Sequence, residues 1–274
     1  MTTPLTKQDL LLACVERIGS QLDAEAASAL ERWAANSGRS AATLAAALLA
    51  RPETDWETLI LHHRAHRHAW FDELARRADI HDFAAYLDEI WASPAQLALL
   101  VRLRETQICD EGCAAIDRYI TDEQLPVPHA HLMRRLILAV RAKAGGGTPR
   151  GFYPSLIDRT LAFYYGYYCD PWHLLGVQFA NEVTSRYRMS QMGAGLERLG
   201  IADLEFIDVH LVYEDDRACD WRDSVIVPSV RARPLIRESI ARGIASRLET
   251  SARHLDDLVV RARSQHAAAI APTP

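Results

Sequence analysis

The sequence predicts an all-α fold, on three observations. Apolar residues recur at spacings of three and four along almost the whole chain, as they do on one face of a helix. No stretch alternates with the two-residue period, rich in Val, Ile and Thr, that marks a strand. Helix start and stop residues punctuate the chain at regular intervals.

Residues 8–19, 23–36 and 40–50 are expected to form short alanine-rich helices, separated by turn residues at Gly19-Ser20 and Asn36-Ser37-Gly38. They make up an N-terminal helical extension over 1–52, which packs on the main domain (53–265) or mediates dimerisation, being too small to form a core alone. A longer helix is expected over about 55–78, with Trp56, Leu59, Ile60, His63, Trp70 and Leu74 along one side, and the next over Ile80–Trp91. Ser93-Pro94 supplies an N-cap and an N1 proline for a helix running through Arg104 toward Glu111. Another covers about 128–143 and ends at Gly145-Gly146-Gly147-Thr148-Pro149. Those glycines have no strand before them and no Gly-Lys-Ser/Thr after them, so they read as a linker and not as a phosphate loop. An aromatic helix (Leu156–Tyr168) follows, then one opened by Asp170-Pro171 and running toward Leu199, then 202–221. Pro234 opens the last long helix, to about Arg263, and 266–274 reads as a frayed tail.

Of the 274 residues, 49% are hydrophobic and 24% charged, which excludes a mostly disordered or rod-like chain. A balance of 31 Lys and Arg against 36 Asp and Glu leaves no excess of cations for nucleic acid. No apolar run approaches the length of a membrane span, and Met1–Lys7 does not lead into a signal sequence, so a soluble, cytoplasmic protein is expected. The five cysteines are an odd, scattered set suited to a reducing compartment. Cys109 and Cys113 lie four apart, but no second ligand pair completes a zinc site.

The sharpest chemical feature lies in 202–221, where Asp203, His210, Glu214 and Arg217 share one face of a helix whose other faces are apolar. A helix apolar on several sides is expected to be buried, and buried charge requires a partner, hydrogen bonds or a metal. The stripe reads either as a Glu214–Arg217 ion pair beside a core histidine or as part of a site. Glu182 and Glu111 are isolated carboxylates in apolar surroundings, Glu182 with Arg186 one turn on. A carboxylate from each of two helices with His and Glu from a third is how helical bundles build iron sites. His62 and His66 lack the Glu of a zinc-protease motif and read as a solvated basic face. Asp170-Pro171-Trp172-His173 is explained as a helix start, and the tyrosines of 163–168 as core packing. No activated nucleophile is patterned around Cys113.

Order and spacing resemble the heme-oxygenase-like diiron oxidases, relatives of the thiaminase and pyrroloquinoline-quinone-synthase fold, from about His66 to Leu258. The resemblance implies a heme-oxygenase-like bundle. The family's first core helix carries Asp-Glu-x-Gly, matched by Asp110-Glu111-Gly112, although the His expected three residues after the Glu is Ala114. The second supplies Glu182. The third carries His-x-x-x-Asp-x-x-His and reads His210, Glu214 and Arg217, followed by Trp221. Arginine is permanently cationic and cannot ligate a metal, so two of three expected imidazoles are missing.

The resemblance then implies Glu111, Glu182, His210 and Glu214 as ligands for one or two Fe(II) ions. Arg217 would pair with a substrate carboxylate or hold Glu214. The activity implied is that of a non-heme iron oxidase or oxygenase using dioxygen on a small amino-acid-like or fatty-acid-like substrate in small-molecule biosynthesis. Nucleic acid and membrane are not expected partners; a homodimer is possible. The alternative is a metal-free relative that binds a small molecule or a protein partner without redox chemistry.

Overall fold

The computed structural model describes residues 39–90, 93–106, 108–146, 165–166 and 169–270. Every regular element among them is helical. The α-helices are α1 (Arg39–Leu49), α2 (Trp56–His62), α3 (Ala69–Arg76), α4 (Ile80–Ile90), α5 (Ser93–Glu105), α6 (Asp110–Asp122), α7 (His129–Lys143), α8 (Pro171–Arg198), α9 (Glu205–Asp220), α10 (Val227–Ala232) and α11 (Arg237–Ile270). A π-helical turn, Trp221–Ile226, joins α9 to α10. The helices expected at 8–19, 23–36 and Leu156–Tyr168 lie outside the described residues, apart from Tyr165–Gly166. No helix among the described residues is long and apolar enough to cross a membrane.

Several boundaries follow their local chemistry. Asp170 caps α8 by accepting from the backbone N–H groups of Trp172 and His173, with Pro171 at the first helical position. The region 55–78 is not one helix but two. His63 Nδ1 accepts from Ala65 N, and His68 Nδ1 accepts from Trp70 N at the start of α3. Those side-chain bonds replace helical ones and turn the chain. The run expected toward Glu111 also breaks, because Cys109 caps a separate helix, α6, with its Sγ accepting from Gly112 N at 3.3 Å. At the C-terminal end, α11 continues past Arg263 to Ile270.

Helix α1 belongs to the body of the protein: it packs on α11, Leu48 is fully buried, and Trp56 Nε1 donates to the Leu48 carbonyl at 2.7 Å. Helices α8 and α11 form the central pair and run parallel, since Leu174–Val183 shares one core with Ile240–Ala252, Asn181 bonds Arg247, and Met189–Leu196 shares the other core with Leu255–Ala262. A Cβ added at Gly176 would lie 2.0 Å from the Ile240 carbonyl oxygen, and one at Gly243 2.0 Å from that of His173. Only glycine permits this approach of two backbones. Helix α9 returns antiparallel along α8, with Gly193 against Ile207. Helix α6 runs antiparallel to the α9–α10 rod: the Tyr119 ring stacks on Trp221 (4.9 Å, 9°), while Cys109 Sγ lies 3.9 Å from Ser229 Oγ.

The apolar residues fall into two separate cores. The first holds Trp56, Leu103, Ile116, Tyr119, Phe179, Val183, Trp221, Ile244, Leu248 and Ala252, among others. The second holds Trp70, Phe83, Leu132, Leu136, Met189, Met192, Phe206, Ile207, Leu255 and Leu258 with their neighbours. Helices α8 and α11 pass through both.

Candidate functional site

Between the cores, each element that crosses from one to the other changes from apolar to polar. The α2–α3 loop does so at His66 and His68, the α6–α7 corner at Glu123 and His129, α8 at Asn181–Arg188, α9 at His210, and α11 at Arg247–His254. The registers above place these stretches side by side. Burying so many polar groups carries a free-energy cost that apolar side chains would avoid, which makes this layer the candidate functional site.

The layer's hydrogen bonds are specific. His63 Nε2 lies 3.2 Å from Glu249 Oε1, and His68 Nε2 3.0 Å from Asp256 Oδ1, while Asp256 Oδ2 accepts from Arg64. The histidine run is therefore a strap on α11; only His62 is exposed, and the solvated basic face expected there is not what forms. Burial, reinforced by Arg67, pushes His66 below the ordinary histidine range, and burial outweighs Asp256 to do the same at His68. On the other side, His129 Nδ1 is buried 3.3 Å from Glu123 Oε2 without hydrogen-bond geometry. Its ring lies 5.0 Å from that of His210. His210 Nδ1 is 2.7 Å from the Phe206 carbonyl oxygen; the proton must sit on Nδ1 for that contact to be a hydrogen bond. On α8, Gln178 donates to Glu182 and leaves its own Oε1 buried without a partner.

The expected site residues are not all brought together. Glu182, His210 and position 214 stand on the facing helices α8 and α9. Counting from the Gly193–Ile207 contact, Glu182 is level with 217–218, and 214 lies between it and His210. The side chains of Glu214 and Arg217 lie outside the described residues. Glu111 is elsewhere: it is exposed in the first turn of α6, level with Pro228. Through the Tyr119–Trp221 contact, eight residues of α6 and eleven of the rod separate Glu111 from His210, about 28 Å at 1.5 Å per residue. The carboxylate that α6 delivers near His210 is Glu123, and the corner adds His129. Two other expectations change. Asp203 precedes α9 and pairs with Arg135 at 2.8 Å instead of joining the stripe, and α9 is not buried all round, since Val212 is 75% exposed.

The sequence pattern of a family described as iron-containing redox enzymes matches residues 61–252, from α2 to α11. The chain belongs to that family. The match spans the layer from His66 to Ser251, and with it the heme-oxygenase-like helical fold and an oxidoreductase class are in hand. No curated protein matches the chain.

The family's iron sets a test for the side chains. The layer's donors are of the right kind, imidazole and carboxylate. Yet among the described residues no three His, Cys, Asp or Glu are grouped so as to hold a metal ion, the Cys109–Cys113 pair included.

Proposed function

We propose that this iron-containing redox enzyme is an iron-dependent oxidase or oxygenase, using dioxygen on a small amino-acid-like or fatty-acid-like substrate in small-molecule biosynthesis, with the polar layer as its active site. The observation that carries this reading is the imidazole–carboxylate group of half-buried His210 with buried His129 and Glu123, set between two apolar cores in a member of an iron-containing redox family. His210, Glu214 and Glu182 would hold Fe(II), one ion or two, with Glu123 or His129 in the role first expected of Glu111. Bound iron would supply the one-electron steps and the affinity for dioxygen.

The chain's own residues do the rest. The Phe206 carbonyl fixes the His210 ring and its tautomer, so that Nε2 is the nitrogen offered to a ligand. Gln178 orients the Glu182 carboxylate. The two cores exclude water from the layer on both sides, which strengthens every electrostatic interaction inside it. Arg217 would pair with a substrate carboxylate or hold Glu214 in place.

Anaerobic reconstitution with Fe(II), followed by metal analysis, tests the reading: at least about half an equivalent of iron per chain is expected, a low bar set by the missing imidazoles. His210→Ala abolishes uptake and Glu111→Gln leaves it unchanged. A wild type that stays iron-free would refute the oxidase reading and leave a metal-free binding protein.

A further inference from the structure

Tyr119 of α6 and Trp221, which follows α9, stack almost flat, with ring centroids 4.9 Å apart and planes 9° from parallel. Both are buried in the first core at the edge of the layer: Tyr119 lies one turn before Glu123, and Trp221 one turn past Arg217. Trp221 also opens the π-helical turn, a rare backbone form that frequently accompanies functional sites. The polar edges of the two rings differ. The Tyr119 hydroxyl donates to Asp220 Oδ2 at 2.7 Å, and Asp220 also accepts from Ser224 and from Arg118, which is exposed. The Trp221 indole N–H is buried without a hydrogen-bond partner.

That difference decides where a missing electron settles. A phenol that loses an electron becomes a strong acid, so tyrosine is oxidised readily where a base in hydrogen-bond contact takes its proton, as Asp220 does here. An indole with no base at its N–H is not trapped by deprotonation, and the stacked ring beside it can refill it. From this we infer that Trp221, Tyr119 and Asp220 form a one-electron relay leading from the layer toward the protein surface. A metal-centred one-electron oxidant in the layer takes an electron from Trp221, Tyr119 returns one to Trp221, and the phenol proton moves to Asp220. The balance is an oxidant reduced by one electron, an unchanged Trp221, a neutral phenoxyl radical at Tyr119 and a carboxylic acid at Asp220. A soluble one-electron reductant such as ascorbate then restores the phenol, with the proton returned by Asp220. The relay drains an oxidising equivalent that no substrate has consumed. It rests on the reading of the layer as a redox site only for where the oxidant arises.

Flash photolysis of tris(bipyridine)ruthenium(II) with a sacrificial electron acceptor supplies the oxidant to the metal-free protein, and transient absorption distinguishes phenoxyl from indolyl radicals. Burial raises the Asp220 carboxyl, but hydrogen bonds from Ser224, Tyr119 and Arg118 outweigh it and hold the group below the ordinary carboxylate range. The wild type therefore forms a phenoxyl radical at a rate that stays flat between about pH 5.5 and 8, where Asp220 is ionised. In Asp220→Asn the radical forms at least about tenfold more slowly and its rate rises with pH, because the proton must go to solvent. Tyr119→Phe loses phenoxyl signal that Tyr187→Phe, whose hydroxyl donates to Asp72, retains, and it gains an indolyl signal in exchange. That indolyl signal disappears when Trp221→Phe is added. Tyr119→Phe keeps the stacked ring, so its thermal midpoint stays near that of the wild type and it carries the test if the Trp221 variant unfolds. The relay is overturned if the wild type forms no phenoxyl radical, if Tyr119→Phe keeps the full phenoxyl signal or yields no indolyl radical, or if Asp220→Asn keeps the wild-type rate and flat pH profile. Radical transfer in a protein that refuses iron sinks only the iron reading; iron uptake without radical transfer sinks only the relay.

Discussion

Gly176→Ala probes the contact that sets the geometry of the layer. The new Cβ would lie 2.0 Å from the Ile240 carbonyl oxygen and 2.9 Å from both the Ile240 carbonyl carbon and the Ile244 nitrogen. All three atoms are backbone inside packed helices, so no rotamer change relieves the clash. An ordinary carbon–oxygen contact needs about 3.3 Å, so α8 and α11 must part locally by about 1.3 Å. Overpacking of this size costs about 3 kcal/mol, and replacing a mid-helix glycine by alanine returns about 1 kcal/mol of helix propensity, for a net loss of about 2 kcal/mol. With a urea dependence of about 3 kcal/mol per M for a chain of this size, the unfolding midpoint falls by about 0.7 M. Urea titration followed by far-ultraviolet circular dichroism measures it. A midpoint that is unchanged or raised is what helix propensity alone predicts, and it would refute the account of α8 and α11 as a pair locked by backbone contact.

The other predictions concern charge. His173 is pushed down to about 4 by burial, partly countered by Asp170. The unfolded chain takes up a proton near pH 6.5 and the folded one does not until about pH 4, so stability falls as pH drops across that window, by about 2 kcal/mol at pH 5. In His173→Phe the difference between urea midpoints at pH 7 and pH 5 shrinks accordingly; an equal difference in both proteins would clear this residue of the effect. Glu111→Gln changes stability by less than about 0.5 kcal/mol, because the side chain is exposed and remote from the layer; a larger drop on thermal melting would contradict its placement. Arg217→His restores the His-x-x-x-Glu-x-x-His spacing and raises iron per chain. Unchanged iron with a lower melting temperature would mean instead that the arginine holds a carboxylate inside the protein.

The sequence was most legible where a single chemical signal acts locally. Asp170-Pro171 marks the start of α8, Gly145 and Gly146 adopt the positive φ that ends α7, and the apolar spacing marks an all-helical chain. Boundaries set by side-chain competition were missed, as at His68 and Cys109, because neither residue is a usual helix cap. For the site, Glu182, His210 and position 214 share the facing pair α8 and α9. Glu111 was misplaced because a local motif carries no information about register: its surroundings in sequence suit a ligand, but the antiparallel packing of α6 sends it to the far end. The buried polar residues of α11 do leave a signal in the sequence. The core stripe of α11 reads Ile240, Ile244, Arg247, Ser251, His254, Leu258, and three polar residues interrupt an apolar face at one place. Set beside Asn181–Arg188, that interruption locates the layer from two helices alone.

The division into two cores has a consequence for how the protein holds together. Each core gains its stability from its own contacts, and across the layer the halves communicate through the continuous backbones of α8, α9 and α11 and a few hydrogen bonds. Amide exchange should therefore fall into two groups with different opening free energies, one around Trp221 and Ile244 and the other around Phe83 and Met192. A molecule bound in the layer touches both groups. It stabilises each in proportion to its occupancy and merges their exchange into one cooperative opening, so filling the site and stitching the bundle together are the same event.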